Sequence, residues 1–199
     1  MTLIKSISGF RGTIGGIPDQ GLTPIDIVKL TSSYICLLRR SGIKRPRIVV
    51  GRDGRLSGTM VNQLVCGTLQ AMGADVVDIC LSTTPTVEVA VTEMKADGGV
   101  ILTASHNPKQ WNALKLLNNK GEFISKADGE WLLEKASADD YEFAYIDEIG
   151  TYTQEHDWIE RHVDMVCKLP LVNKELIAKA NLKVVVDAVN STGGIAIPM

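Results

Sequence analysis

Three short runs of nearly unbroken apolar residues constrain this chain more than any other feature: Arg47–Gly51 (RIVVG), Ala74–Cys80 (ADVVDIC) and Gly99–Thr103 (GVILT). A strand that is apolar on both sides must be covered on both faces. The first two runs are each followed by a stretch with helical spacing, so strand and helix patterns alternate, and alternation of this kind argues for an α/β layer fold.

Local signals mark the helices. Thr23-Pro24-Ile25-Asp26 opens one, with Thr23 as cap, Pro24 in the first turn and Asp26 where a capping box wants an acid; it should run to about Arg40, with Gly42 just past its end. Ser57 is read as the cap of a second helix that ends before Gly73 and lines up Met60, Leu64, Val65, Leu69 and Met72 on one face. Ser82–Pro85 starts a third, running to about Lys95. Leu114–Leu117 is a fourth strand, followed by a turn at Asn118–Gly121 and a helix from Ser125 to Ala138 with Ser125 and Asp128 as its capping pair.

Residues 139–153 are polar and read as a connection at the edge of a first domain; Gln154–Lys168 and Asn173–Ala180 read as helices. Lys183–Asp187 (KVVVD) repeats the form of RIVVG, a basic residue, an apolar run and then a polar loop, and is read as a strand. The expected organisation is one α/β unit over 1–150 and, over 151–199, connecting helices with the first strand of a second, incomplete α/β unit.

Composition narrows the partners. The 199 residues carry a formal net charge of −2, which makes no electrostatic case for a nucleic-acid partner. No window approaches the roughly 18 apolar residues of a membrane span, and the N-terminus MTLIKSISGFRG has no apolar leader core. The four cysteines, Cys36, Cys66, Cys80 and Cys167, form no CxxC pair and suit buried thiols in a reducing cytoplasm. The sequon Asn190-Ser191-Thr192 is discounted on the same ground.

In such sheets ligands collect at the carboxyl ends of the strands. The loops leaving those ends are Arg52–Ser57, Ser82–Thr86 and Ala104–Lys109, with the glycine-rich GFRGTIGG segment nearby. Together they offer Arg11, Arg52, Arg55, Lys109, Ser105, His106, Asn107 and several threonine hydroxyls, with Lys115 one strand further on: a donor-rich, basic rim suited to phosphate. A serine hydroxyl needs a base or a strong field to act as nucleophile. His106 adjoins Ser105, but adjacency does not bring their side chains together unless the chain turns there, and Pro108 makes a turn believable. The bland alternative is a chance Ser-His pair. Other bland readings are an Arg52–Asp53 loop ion pair, Thr83 and Thr84 as helix caps, and Trp111 as packing. GxSxG, GxxxxGK[ST] and GxGxxG are all absent, which argues against a hydrolase elbow and the common nucleotide loops.

The hexapeptide Thr103-Ala104-Ser105-His106-Asn107-Pro108 resembles the active-site signature of the α-D-phosphohexomutases, the family of phosphoglucomutase, phosphomannomutase and phosphoglucosamine mutase. Ser8-Gly9-Phe10-Arg11-Gly12 resembles the family's G-[IVF]-R-G segment, Gly51–Gly58 its GRD-x-R-x-SG loop, Thr84-Pro85-Thr86 its TP-T turn, and Asn112-Ala113-Leu114-Lys115 its NGxK. Val184–Gly194 resembles the opening of the family's second domain. Two departures stand out: Ala113 occupies the usual glycine position, and Ser6-Ile7-Ser8-Gly9 replaces FGTxG.

The resemblance implies a first domain built as a layered mixed sheet with helices on both faces, followed by further domains. It implies that Ser105 carries a phosphoryl group exchanged with a hexose or hexosamine phosphate through a hexose 1,6-bisphosphate. Arg11 and Lys115 would face that phosphate, His106 or Lys115 would move the proton, and Asn107 would line the site. Mg²⁺ would be held by the phosphate on Ser105 and by a DGDxDR loop, which these 199 residues do not contain. The chain alone is therefore expected not to complete a mutase cycle. Within the family, ISGFRGTIGG leans toward phosphoglucosamine mutase, with glucose or mannose phosphate as the alternative. A non-catalytic sugar-phosphate-binding domain is the reading from another class.

Overall fold

The computed structural model describes residues 2–6 and 9–199. Ile7 and Ser8, parts of the N-terminal motif, lie outside the described residues. The rest builds one seven-stranded mixed sheet in the order β1-β2-β6-β5-β3-β4-β7. Its strands are β1 (Ile4–Ser6), β2 (Gly9–Thr13), β3 (Arg47–Arg52), β4 (Asp75–Leu81), β5 (Gly98–Leu102), β6 (Trp111–Leu117) and β7 (Tyr152–Gln154). β3 pairs in parallel with both β4 and β5, and β4 with β7. The side that holds β6, β2 and β1 is antiparallel throughout.

The helices are α1 (Pro24–Arg40), α2 (Gly58–Ala71), α3 (Thr84–Glu93), α4 (Lys126–Ala138), α5 (Trp158–Cys167) and two short ones, α6 (Lys174–Lys179) and α7 (Gly193–Ala196). They cover both faces of the sheet. On one, α1, α2 and α4 close over Ile48, Val50, Val100, Leu102, Leu114 and Leu116. On the other, Val87, Ala90 and Val91 of α3 and Trp158 of α5 close over Val49, Ile101 and Leu117. Alternate residues of one strand thus feed two separate cores, which is why β3 and β5 read as unbroken apolar runs rather than alternating ones.

The capping box of α1 forms as read: Thr23 Oγ1 accepts from the Asp26 N–H, and the Asp26 carboxylate accepts from the Thr23 N–H at 2.9 Å. Ser125 caps α4 in the same way, accepting from the Asp128 N–H at 3.1 Å. Ser57 precedes α2 but makes no side-chain cap; its hydroxyl accepts from the buried Asn112 amide of β6 at 2.9 Å instead. β6 begins at Trp111, three residues before the apolar run, because its first four residues pair with β2.

Two elements differ from the sequence reading more sharply. β7 falls in the stretch expected to be irregular, and α5 begins at Trp158 rather than Gln154. β7 has no apolar pattern. It is held by the β4 ladder and by Asp75, whose carboxylate accepts from both the N–H (2.9 Å) and the hydroxyl (2.7 Å) of Thr151. The Arg45 guanidinium beside Asp75, helped by those Thr151 bonds and opposed by partial burial, holds its carboxyl below the ordinary carboxylate range. Lys183–Asp187, expected as a strand, forms no regular structure, since no other strand pairs with it among the described residues.

Candidate active site

Tyr34 of α1 sets where β5 runs. Its buried hydroxyl donates to the Leu117 carbonyl at 2.6 Å and faces the Gly99 carbonyl at 3.4 Å. A Cβ on Gly98 would collide with that hydroxyl, so the glycine that opens the strand makes room for it. Burial pushes the Tyr34 phenol well above its ordinary range and keeps it a neutral donor. β5 is buried along its whole length and ends at Leu102.

Beyond it the chain turns at once. The Ser105 N–H donates to Thr103 Oγ1 at 3.1 Å, and the Asn107 N–H closes a turn onto the Ala104 carbonyl at 3.0 Å. Within three residues the surroundings pass from buried Ala104 to exposed Ser105 and His106. Ser105 takes a φ of 53°, a region that non-glycine residues seldom occupy and that recurs where a structure holds a functional group in place. The abrupt end of the apolar strand thus presents a hydroxyl to solvent on a buried support.

β2 and β6 supply the facing cations. Arg11 lies directly across the ladder from Ala113, and Lys115 is two residues along the same face of β6. The small Ala113 side chain, nearly fully buried, fits between them, so the departure from glycine leaves both cations in place. Gly9 crosses β6 so closely that a Cβ would strike the Leu114 carbonyl, and its φ of 116° suits glycine alone.

Arg11, Ser105, His106, Asn107, Ala113 and Lys115 share one cleft of about 190 Å³ with Gly9, Thr103 and Ala104. None of its described lining residues is acidic. Arg11 Nε is buried without a hydrogen-bond partner among the described residues. The Lys115 ammonium stands 5.8 Å from the centre of the Phe123 ring. Its electrostatic neighbour on α3 is Glu88, whose carboxyl is raised by burial against the pull of Lys115. A buried guanidinium nitrogen without an acceptor, a half-buried ammonium and an exposed hydroxyl around one small cavity make a site for an oxyanion.

The other predicted residues separate. A second cleft of about 430 Å³ lies beside the same turn, lined by Asp53, Arg55, Lys109, Val189 and Ser191 together with Ser105 and His106. Arg55 faces backbone carbonyls of the serine loop there and is not free for a ligand. The expected Arg52–Asp53 ion pair is replaced: Arg52 Nη1 donates to the Asp53 carbonyl at 3.3 Å, and the Asp53 carboxylate stands 3.2 Å from Arg55 Nε. Thr83 caps α3, accepting from the Thr86 N–H at 3.3 Å, and Thr84 is merely its first residue.

Sequence reasoning missed the roles of Asn112 and His162. Asn112 is fully buried, donates to Ser57 and accepts from the Ala113 N–H at 2.8 Å, which ties the Arg52–Ser57 loop to β6. A lone amide entering an apolar strand was the available signal. His162 Nδ1 lies 2.9 Å from Thr86 Oγ1 and joins α5 to the start of α3; nothing local announces that pairing.

The residues present do not fit a Mg²⁺ ion by themselves. Among the described residues no three His, Cys, Asp or Glu side chains gather as a ligand set. Asp53, the carboxylate that lines the neighbouring cleft, is committed to Arg55. Mg²⁺ prefers hard carboxylate, phosphate and water oxygens, and this chain offers at most the oxygen of Ser105 or of a phosphate upon it.

Comparison with known proteins bears on this cleft. The family model for phosphoglucomutase/phosphomannomutase, alpha/beta/alpha domain I, matches residues 4–142. The chain is 35% identical over 189 residues to a phosphoglucomutase/phosphomannomutase of Thermococcus kodakarensis, covering 94% of this chain and 41% of that protein. It is also 35% identical over 199 residues to a phosphoglucosamine mutase of Thermobifida fusca, covering 98% and 42%. It thus spans about two-fifths of the length of the curated relatives it matches. A crystal structure of a phosphoglucomutase/phosphomannomutase family protein from Burkholderia thailandensis superposes with a TM-score of 0.68 at 24% identity, over 83% of this chain and 36% of that one; this likeness concerns the fold.

Proposed function

The chain belongs to the phosphoglucomutase/phosphomannomutase family, and from that premise we propose that Ser105 is a phosphoryl carrier that exchanges its phosphate with a hexose or hexosamine phosphate. The observation that supports this most is the shared cleft: an exposed serine hydroxyl on a buried strand end, with Arg11 and Lys115 and no acid among the described residues lining that cleft.

Phosphoryl transfer asks little covalent chemistry of a protein beyond position and compensating charge. With a hexose 1,6-bisphosphate as donor, Ser105 Oγ forms the new P–O bond while the bond from phosphorus to the sugar oxygen breaks. The Oγ proton passes to His106 or Lys115, the two proton carriers lining the cleft, and the sugar oxygen leaves with a proton gained in return. An imidazole suits that exchange near neutral pH. Arg11, whose Nε has no acceptor among the described residues, and Lys115 offset the charge on the equatorial oxygens, and Asn107 borders the same space.

Other parts of the proposal reach past these residues. Mg²⁺ belongs to the reading only as a partner of the phosphate on Ser105, and no step here is routed through it. The full interconversion is proposed for proteins more than twice this length, since the matched relatives are covered to only 41% and 42%. Hexose and hexosamine phosphates both stay as substrates, because relatives of both names match at 35% identity. The division into a first unit over 1–150 and a second from 151 is part of the same proposal, with β7 adding an edge strand to the first sheet and α5 packing on it as a connection. No described helix is long and apolar enough to cross a membrane. All four cysteines are free thiols, which supports a reducing, cytoplasmic setting.

Intact-mass measurement tests the proposal. Incubation with glucose or glucosamine 1,6-bisphosphate and Mg²⁺ should add one HPO₃ unit, mapped to Ser105 and absent from Ser105→Ala. Binding of the sugar phosphate with no adduct under any condition would make this a binding domain and overturn the phosphoryl-carrier reading.

A further inference from the structure

Arg55 sits on the loop between β3 and α2, with only 11% of its side chain exposed. Its two terminal nitrogens gather four carbonyl oxygens of a loop some fifty residues away. Nη1 donates to Pro108 (2.9 Å) and Trp111 (3.0 Å), and Nη2 to Ser105 (2.7 Å) and Asn107 (2.8 Å). Asp53 braces it, with one carboxylate oxygen 3.2 Å from Nε and the other accepting the Arg55 N–H at 3.0 Å. Every terminal donor direction is taken by backbone, so Arg55 is no ligand for a substrate phosphate.

We propose that Arg55 is the positioning residue of the Ser105 turn, acting through the backbone rather than on the substrate. Four carbonyl dipoles that point at one place repel each other unless a cation stands there, and only a planar fork of donors meets all four at once. The clamp holds Ser105 at its positive φ and has a consequence on the opposite side. A trans peptide directs its C=O and N–H oppositely. With the Ser105 carbonyl drawn onto Arg55, the His106 N–H is turned away from the guanidinium, and it has no hydrogen-bond partner among the described residues. That N–H is the donor we assign to an oxygen of the phosphoryl group on Ser105, a step that rests on the phosphoryl-carrier reading; the clamp itself does not.

Two measurements on the chain separate these points. Without any sugar, amide exchange at Asn107 and Trp111 should be about tenfold faster in Arg55→Ala and in Arg55→Lys, with β3 and β5 unchanged. With hexose 1,6-bisphosphate, the rate of phosphate uptake on Ser105 should fall about 100-fold in both variants while the half-saturating bisphosphate concentration stays the same. Should Arg55→Ala fail to fold, Arg55→Lys, which retains the stem and the charge, carries both measurements. Unchanged exchange in the loop overturns the clamp. So does full rescue by lysine, which would reduce Arg55 to its charge, or a rise in half-saturation at unchanged rate, which would place Arg55 on the ligand. A wild-type chain that takes up no phosphate overturns the carrier reading and the His106 assignment, while the exchange comparison still decides the clamp.

Discussion

RIVVG at 47–51 and KVVVD at 183–187 are nearly the same message, and they meet opposite fates. Ile48, Val49 and Val50 are fully buried, with β4 on one side, β5 on the other and a core on each face. Val184, Val185 and Val186 are 73%, 98% and 46% exposed and belong to no ladder. Local pattern proposes a strand, but a strand exists only where a neighbour takes its hydrogen bonds and another layer takes its side chains. The difference lies wholly in what surrounds the two segments.

The sharpest way to break this comparison is a matched truncation. Ile48→Ala should cost about 2–5 kcal/mol in urea unfolding, as for other buried large-to-small changes. The positional equivalent Val184→Ala should stay within about 0.5 kcal/mol. Similar losses at both sites would mean that the second segment is packed after all.

A smaller effect, confined to acid, should appear at the edge of the packed region. Asp75 is held ionised by Arg45 and by Thr151, so its folded pKa lies below the unfolded value of about 3.9. A depressed carboxyl contributes stability that is complete above its unfolded pKa and is lost as pH falls through the folded one. The stability gap between wild type and Asp75→Asn should therefore be level above about pH 5 and shrink below about pH 4. A gap that widened in acid would contradict the placement of β7.

The smallest effect belongs to the point where the two regions touch. The Gly54 N–H donates to Ser191 Oγ at 3.1 Å. Ser191→Ala should cost no more than about 1 kcal/mol and should speed exchange of the Gly54 amide. A larger loss would show the exposed segment to be more firmly seated than its valines suggest.

What could be read from sequence follows the same division. The caps at Thr23 and Ser125 were legible because their partners, Asp26 and Asp128, lie three residues away. β3 and β5 were legible because burial on both faces leaves an unbroken apolar run, and β4 because its apolar residues outnumber the two aspartates among them. β7 was not, since it depends on Asp75 and β4 some 75 residues earlier. The cap expected of Ser57 failed because Asn112, fifty-five residues on, claims the hydroxyl. In the cleft, the strand-end argument pooled Arg11, Ser105 and Lys115 with Arg52, Arg55 and Lys109, and the family resemblance singled them out; residue spacing alone left a chance Ser-His pair open. Arg55 was legible as a cation and not as a clamp, because nothing near it in the chain shows which four carbonyls it will meet.

The turn at Ser105 also limits which alcohols could ever take its place. Threonine brings an equivalent oxygen, but its branched Cβ makes it a poor occupant of a backbone at φ 53°. Serine and threonine, so often exchanged between related proteins, are not synonyms at this position. A lineage that drifted from one to the other would have to rebuild the bend before it could present the hydroxyl in the same way.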